Sequence, residues 1–154
     1  KIANLDARVK WPNDVLINHK KACGILTETI VGKENYALVG IGLNVNQEKF
    51  PKTIIRNSTS LKMESNKNYS IKNISKLIIK EFNNLYFYYN IKNYEKIIDI
   101  WKEYSHTLGK TVKAKTLTGN YTGKAVDVDE ECNLILRLND GSTKKIVEGD
   151  IFVI

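Results

Sequence analysis

The feature that most limits what this chain can fold into is a double change of hydrophobic period. Between Asp14 and Val45 the apolar residues come in strand-like runs. Between Ile71 and Tyr104 they recur every three or four residues, and from Thr111 to Val153 the period returns to two. A chain patterned in this order buries two β segments and one helical segment, which points to an α+β fold. In the first segment, residues 14–18, 22–31 and 36–45 read as strands. Turn residues at Asn18-His19-Lys20 and at Gly32-Lys33-Glu34-Asn35 join them into an antiparallel meander. Their nearly continuous apolar runs predict a covered sheet.

Residues 47–69 lose periodicity and read as a loop with a short helix. A long helix follows, with Ile71, Ile74, Leu77, Ile78, Phe82, Leu85 and Tyr89 on one face and Ser70 placed as its N-cap. A second helix starts after Asn93 and carries Tyr94, Ile97, Ile98, Trp101 and Tyr104; Gly109 closes that segment. Five short strands then follow at residues 111–117, 121–128, 134–138, 142–147 and 150–153, a spacing that predicts a small β-barrel. The domain boundary is expected near Thr107 to Lys110, dividing the chain into 1–107 and 108–154.

Composition sets outer limits on function. The formal net charge is +7, a property suited to anionic ligands such as nucleotides, nucleic acid or an acidic protein. The basic residues are almost all Lys, with Arg only at positions 8, 56 and 137, and nucleic-acid readers favour the planar fork of Arg at key contacts. A solvated basic surface is therefore the simpler reading, and a nucleic-acid role is not supported. Cys23 and Cys132 are too far apart in sequence to suggest a disulfide framework, which fits a reduced, cytoplasmic setting. No window approaches the roughly 20 apolar residues needed to span a bilayer, so no membrane role is expected. His19 and His106 are too isolated to form a metal site with the cysteines. The chain opens on Lys1 instead of Met and reads as a fragment of something longer.

The densest group of chemically useful residues is Lys10-Trp11-Pro12-Asn13-Asp14, then Lys21-Ala22-Cys23-Gly24-Ile25-Leu26, then Gly40-Ile41-Gly42-Leu43-Asn44. Each has a structural reading of its own. Pro, Asn and Asp make turns; Lys21 beside Lys20 is a solvated turn lysine; Gly24 marks a bulge; Gly-x-Gly alone does not make a phosphate loop; Trp11 packs in a core. Cys23 has no His nearby in sequence and reads as a packing residue.

Taken together, the three motifs in this order and spacing resemble the biotin protein ligases. The resemblance in motifs covers Lys10 to Asn46, and the helices and terminal β module extend it in architecture to the end of the chain. It implies a partial catalytic domain of the biotin/lipoate ligase type, an antiparallel sheet with helices, followed by a small SH3-like β-barrel. It also implies a two-step, AMP-forming reaction. Biotin and ATP give biotinyl-5′-AMP, and the biotin then passes to a lysine of a biotin carboxyl carrier protein such as that of acetyl-CoA carboxylase. Lys21 matches the family lysine that contacts biotin and the adenylate phosphate, and a cation there eases the approach of two anions. Gly24 and Ile25 fall on the biotin side. Lys10, Trp11, Asn13, Asp14, Asn44 and Asp150 fall on the nucleotide side, with Asp14 near Mg²⁺ and Asn44 able to read adenine with one amide. A homodimer is left open. The family's upstream Gly-Arg-Gly-Arg-type loop and the strands that form the other side of its pocket do not occur here, so little or no ligase activity is expected of these 154 residues alone.

Two other readings stay in view. A lipoate ligase shares the general chemistry, and the pairing of Lys-Trp-Pro-Asn-Asp with Gly-Ile-Leu and a terminal barrel argues for biotin instead. A non-catalytic module, recruiting nucleic acid or an acidic protein through the basic surface and β-barrel, is the alternative from a different class.

Overall fold

The computed structural model describes residues 4–154. Its order is β1 (Ala7–Lys10), β2 (Asp14–Ile17), β3 (Lys20–Ile30), β4 (Tyr36–Leu43), α1 (Leu61–Ser65), α2 (Ile71–Asn90), α3 (Tyr94–Tyr104), β5 (Thr111–Thr116), β6 (Gly119–Val128), β7 (Leu134–Leu138), β8 (Thr143–Ile146) and β9 (Asp150–Val153). The chain divides into two compact units, one holding Asn13–Ile79 with the residues up to Arg8, the other Val9–Pro12 with Lys80–Ile154.

The first sheet has the order β1-β2-β3-β4, with β2, β3 and β4 forming the expected antiparallel meander. Between β2 and β3 the turn is only Asn18-His19, with φ of 49° and 64°. Two successive left-handed residues match the right-handed twist of the flanking strands, and Asn tolerates that conformation better than most residues. The core of this unit is Ile17, Ala22, Val45, Leu61 and Ile74, with Leu43, Tyr69 and Ile78 against it. Helix α1 starts where the Ser60 hydroxyl accepts the Met63 N–H at 3.1 Å and ends at Asn66 in a left-handed cap. Helix α2 begins after Ser70, as its pattern predicts.

One expectation for this unit changes. The apolar runs of β3 and β4 predict a covered sheet, yet Leu26 is 60% exposed and Ile41 43%. An apolar strand reports that its surface needs a cover; it does not say which layer supplies it. Among the described residues the core covers only the end of the sheet near Ile17 and Ala22.

In the second unit, α3 is capped by Asn93, whose side-chain oxygen accepts the Lys96 N–H at 3.2 Å. The five terminal strands appear at the expected positions and pair antiparallel in the order β8-β7-β6-β5-β9. Among the described residues the hydrogen-bonded ladder of this five-stranded sheet runs from β8 to β9. Alternate residues Val112, Ala114, Leu134, Leu136, Ile146 and Ile151 turn inward to form its core, and Trp11 packs among them. No helix among the described residues is long and apolar enough to cross a membrane.

The turn between β6 and β7 is organised by Asp129. One of its oxygens accepts the N–H groups of Glu131 at 3.0 Å and Asn133 at 2.9 Å, while Lys145 on β8 reaches the other at 2.8 Å. Lys145 is the largest of the influences that hold the Asp129 carboxyl at about 2, below its ordinary 3.8. A carboxyl lowered on folding stabilises the fold above its unfolded value and loses that contribution as pH falls through the folded value. The melting temperature of Asp129→Asn is therefore expected to lie below that of the parent at neutral pH, with the gap closing between about pH 4 and pH 2. A pH-independent gap, measured by circular dichroism, would contradict this role for Asp129.

Candidate functional site

The geometry around Lys21 begins with an irregularity in the β2–β3 ladder. Asp14 faces Gly24 and Val15 faces Cys23, but Leu16 faces Lys21, which leaves Ala22 as an extra residue in β3. Side chains alternate along a strand, so Lys21 and Gly24, three apart, belong on opposite faces of a regular ladder. A bulge bends the strand and re-aims the residue beside it. As a result the Lys21 ammonium crosses to the Asp14 side and lies 2.5 Å from the Asp14 carboxylate.

Gly24 makes the crossing possible. A Cβ at this position would sit 3.2 Å from both Cε and Nζ of Lys21 and 3.8 Å from Asp14 Oδ1. The side chain of Lys21 thus occupies the volume that any residue larger than glycine would begin to fill. The Lys21 side chain is 48% exposed and that of Asp14 17%, so the pair is open to solvent on the lysine side. Such a pair orients groups more than it stabilises a fold.

Other sequence-predicted residues brace this point. Asn13 accepts the Ile25 N–H on its backbone carbonyl at 2.9 Å and donates its side-chain N–H to the Ile25 carbonyl at 2.8 Å. The Asn44 N–H donates to the carbonyl of Ala22 at 2.8 Å, and its side-chain N–H to the carbonyl of Thr59 at 3.0 Å. The first unit therefore brings Asp14, Lys21, Gly24 and Ile25 onto the neighbouring strands β2 and β3, with Asn13 directly before β2 and Asn44 directly after β4.

Lys10, Trp11 and Asp150 belong to the second unit. Lys10 ends β1. Trp11 is buried in that unit's core, its indole N–H donating to the Cys132 carbonyl at 2.8 Å and its backbone N–H to the Thr107 hydroxyl at 3.0 Å. Asp150 is exposed at the start of β9.

Cys23 is buried, and burial is the main cause that pushes its thiol up; the Lys21 ammonium opposes that rise and the Asp14 carboxylate adds to it. A thiol raised in this way stays protonated near neutral pH and packs instead of attacking. Among the described residues no group of three or more His, Cys, Asp or Glu side chains could hold a metal ion. The donor set around Asp14 is a single carboxylate paired with a lysine. That suits a Mg²⁺ carried mainly by phosphate oxygens and water, and it does not suit a protein-built cage.

The sequence pattern alone did not single out residues 57–60, which read as loop. Ser58, Thr59 and Ser60 are buried, and this stretch holds Lys21 by its backbone, with Lys21 N–H donating to Asn57 at 2.7 Å and Thr59 N–H to Lys21 at 2.9 Å. The available signal was Ser60, a good N-cap directly before Leu61.

Comparison with known proteins decides the family. Residues 1–46 match the model of the biotin/lipoate A/B protein ligase family, and residues 107–153 match that of the biotin protein ligase C terminal domain. The bifunctional ligase/repressor BirA of Bacillus subtilis is 35% identical over 153 residues, a match that covers 97% of this chain and 47% of BirA. The biotin–[acetyl-CoA-carboxylase] ligase of Mycobacterium tuberculosis is 28% identical over 144 residues, covering 93% of this chain and 52% of that protein. The biotin protein ligase of Aquifex aeolicus, solved in complex with biotin and ATP, superimposes with a TM-score of 0.85 at 28% identity, covering 99% of this chain and 64% of that one. The chain belongs to the biotin protein ligase family. It spans about half the length of the curated relatives above.

Within a biotin protein ligase chain of this kind, the Gly24 geometry has a direct consequence. Gly24→Ala is expected to keep the fold, because the neighbour it crowds is the flexible end of a lysine, and to push the Lys21 ammonium off its 2.5 Å contact with Asp14. A crystal structure of the variant with the contact unchanged would show that Gly24 does not control it.

Proposed function

We propose that this chain is the part of a biotin protein ligase that carries the cation for adenylate formation. In this reading the whole protein joins biotin to ATP, giving biotinyl-5′-AMP and pyrophosphate, and then transfers the biotin to a lysine of a biotin carboxyl carrier protein. Residues 1–107 belong to its catalytic domain and 108–154 to an SH3-like C-terminal domain. The observation that carries the reading is the Lys21 ammonium, turned by the bulge and seated over Gly24 against Asp14.

The mechanism follows from charge. The biotin carboxylate oxygen attacks the α-phosphorus of ATP, and the two anions repel as they approach. An ammonium already oriented at the point of contact offsets that repulsion without reorganising. Lys21 supplies this charge and is the catalytic residue. Gly24 and the half-buried Ile25 border the biotin, Gly24 by making room for the Lys21 ammonium beside it and Ile25 with apolar surface. Asp14 releases Lys21 as the phosphates arrive and would help hold Mg²⁺, which supplies further neutralisation of the triphosphate when bound. Asn44 reads adenine and Asn13 shapes the nucleotide side, while the family resemblance also assigns nucleotide roles to Lys10, Trp11 and Asp150. In the second step the target lysine attacks the acyl carbon and AMP leaves, with no covalent enzyme intermediate. Holding the reactants in line and keeping water from the mixed anhydride supply much of the rate.

Biotin is favoured over lipoate by the match of residues 107–153 to a biotin ligase C-terminal domain. A cytoplasmic location and a homodimer belong to the same proposal. The reading as a nucleic-acid or acidic-protein module draws only on the net charge of +7.

In the complete ligase, Lys21→Ala is expected to cut biotin-dependent pyrophosphate release by at least on the order of 100-fold with the circular dichroism spectrum unchanged. Turnover at the parent rate would remove Lys21 from the mechanism. The isolated 154-residue chain is expected to show little or no biotinylation in the same assay.

A further inference from the structure

A polar run such as Asn57-Ser58-Thr59-Ser60 belongs in solvent unless each polar group finds a partner. Here Ser58, Thr59 and Ser60 are buried, Thr59 and Ser60 completely. Their partners define a pattern. The two backbone polar groups of Lys21 are bonded to the run on either side of Ser58, through Asn57 at 2.7 Å and Thr59 at 2.9 Å, which makes a short parallel bridge between Lys21 and Ser58. The carbonyl of Thr59 accepts the side-chain N–H of Asn44 at 3.0 Å. The hydroxyl of Thr59 donates to the Glu64 carboxyl group, whose other oxygen accepts from Asn18, in the turn before β3, at 2.5 Å. Further along, Leu61 and Lys62 donate their N–H groups to the carbonyls of Asn44 and Val45 at 3.0 and 2.9 Å.

One buried residue therefore touches the backbone of Lys21, the amide of Asn44 and, through Glu64, the turn that leads into β3. The bulge at Ala22 loosens the ladder at the point where the lysine must be held most firmly, and the run at 57–60 restores that hold from the other side. We propose that Thr59 is a positioning residue of the adenylation site, and that residues 57–60 are a strap fixing the Lys21 ammonium and the Asn44 amide in one frame. The inference rests on the ligase reading of Lys21 and Asn44, and it adds a residue that does not touch substrate. Loss of the Thr59 hydroxyl leaves the Glu64 carboxyl group without that partner and frees the strap to shift. A shift of a fraction of an ångström displaces Lys21 and Asn44 relative to each other, and misplacement on that scale slows a reaction without abolishing binding.

The test uses the complete ligase carrying Thr59→Val, Thr59→Ser or Glu64→Ala, with Lys21→Ala alongside. Biotin-dependent pyrophosphate release gives kcat and KM, and hydrogen exchange by mass spectrometry follows peptides containing residues 20–24. Thr59→Val and Glu64→Ala are expected to lower kcat on the order of 10- to 100-fold while KM for biotin changes by less than about threefold, with faster exchange over 20–24. Thr59→Ser, which keeps the hydroxyl, is expected to restore kcat and slow exchange. Should Thr59→Val fail to fold, Glu64→Ala breaks the same tie from outside the strap. Parent kcat and unchanged exchange in either folded variant overturn the strap, as does a loss that Thr59→Ser does not repair. If Lys21→Ala turns over at the parent rate, the ligase reading falls and the strap with it. If Lys21→Ala is inactive and Thr59→Val is not impaired, only the strap falls.

Discussion

A single extra residue in β3 governs where the cation of this molecule goes. With Ala22 left out of the ladder, the alternation of the strand slips by one, and Lys21 moves to the face shared by Asp14 and Gly24. The rest of the first unit reads as support for that displacement. A two-residue left-handed turn sets the start of β3, Asn13 grips Ile25 beyond the bulge, and the Asn44 N–H donates to the carbonyl of the bulged residue itself. None of these contacts is strong alone. Their effect is geometric, and geometry is what a preorganised charge requires.

The same contacts explain why the site carries a glycine and a carboxylate. The lysine end fills the space above Gly24, and Asp14 gives the ammonium a resting partner. A half-exposed ion pair is a weak holder, so an incoming anion of higher charge can take the lysine over. Cys23, one residue from this point, is buried, and burial pushes its thiol up, away from the reactive thiolate.

Much of the fold was legible in the sequence because period is local. The helices after Ser70 and Asn93 and the strands at Leu134–Leu138 and Asp150–Val153 begin where patterning and caps place them. What was not legible depends on contacts distant in sequence. β1 carries too few residues to show a pattern, the cover over β3 and β4 cannot be inferred from their own apolarity, and the burial of Thr59 arises from β3 and β4 some 15 or more residues away. At the site, the motifs named Lys21, Gly24 and Asp14, but strict alternation would have set Lys21 on the wrong face. Trp11 carried both a nucleotide and a core reading in the sequence, and its indole lies in the core of the second unit.

In the proposed function the Lys21 ammonium is aimed at the junction of biotin and nucleotide. This placement is tested most directly by a crystal structure of the complete ligase bound to a non-hydrolysable analogue of biotinyl-adenylate. Lys21 Nζ is expected within about 3 Å of an oxygen of the phosphate or of the adjoining acyl group, with Asp14 no longer its sole partner. An analogue bound with its phosphate elsewhere, and Lys21 still resting on Asp14 as in the free chain, would contradict it.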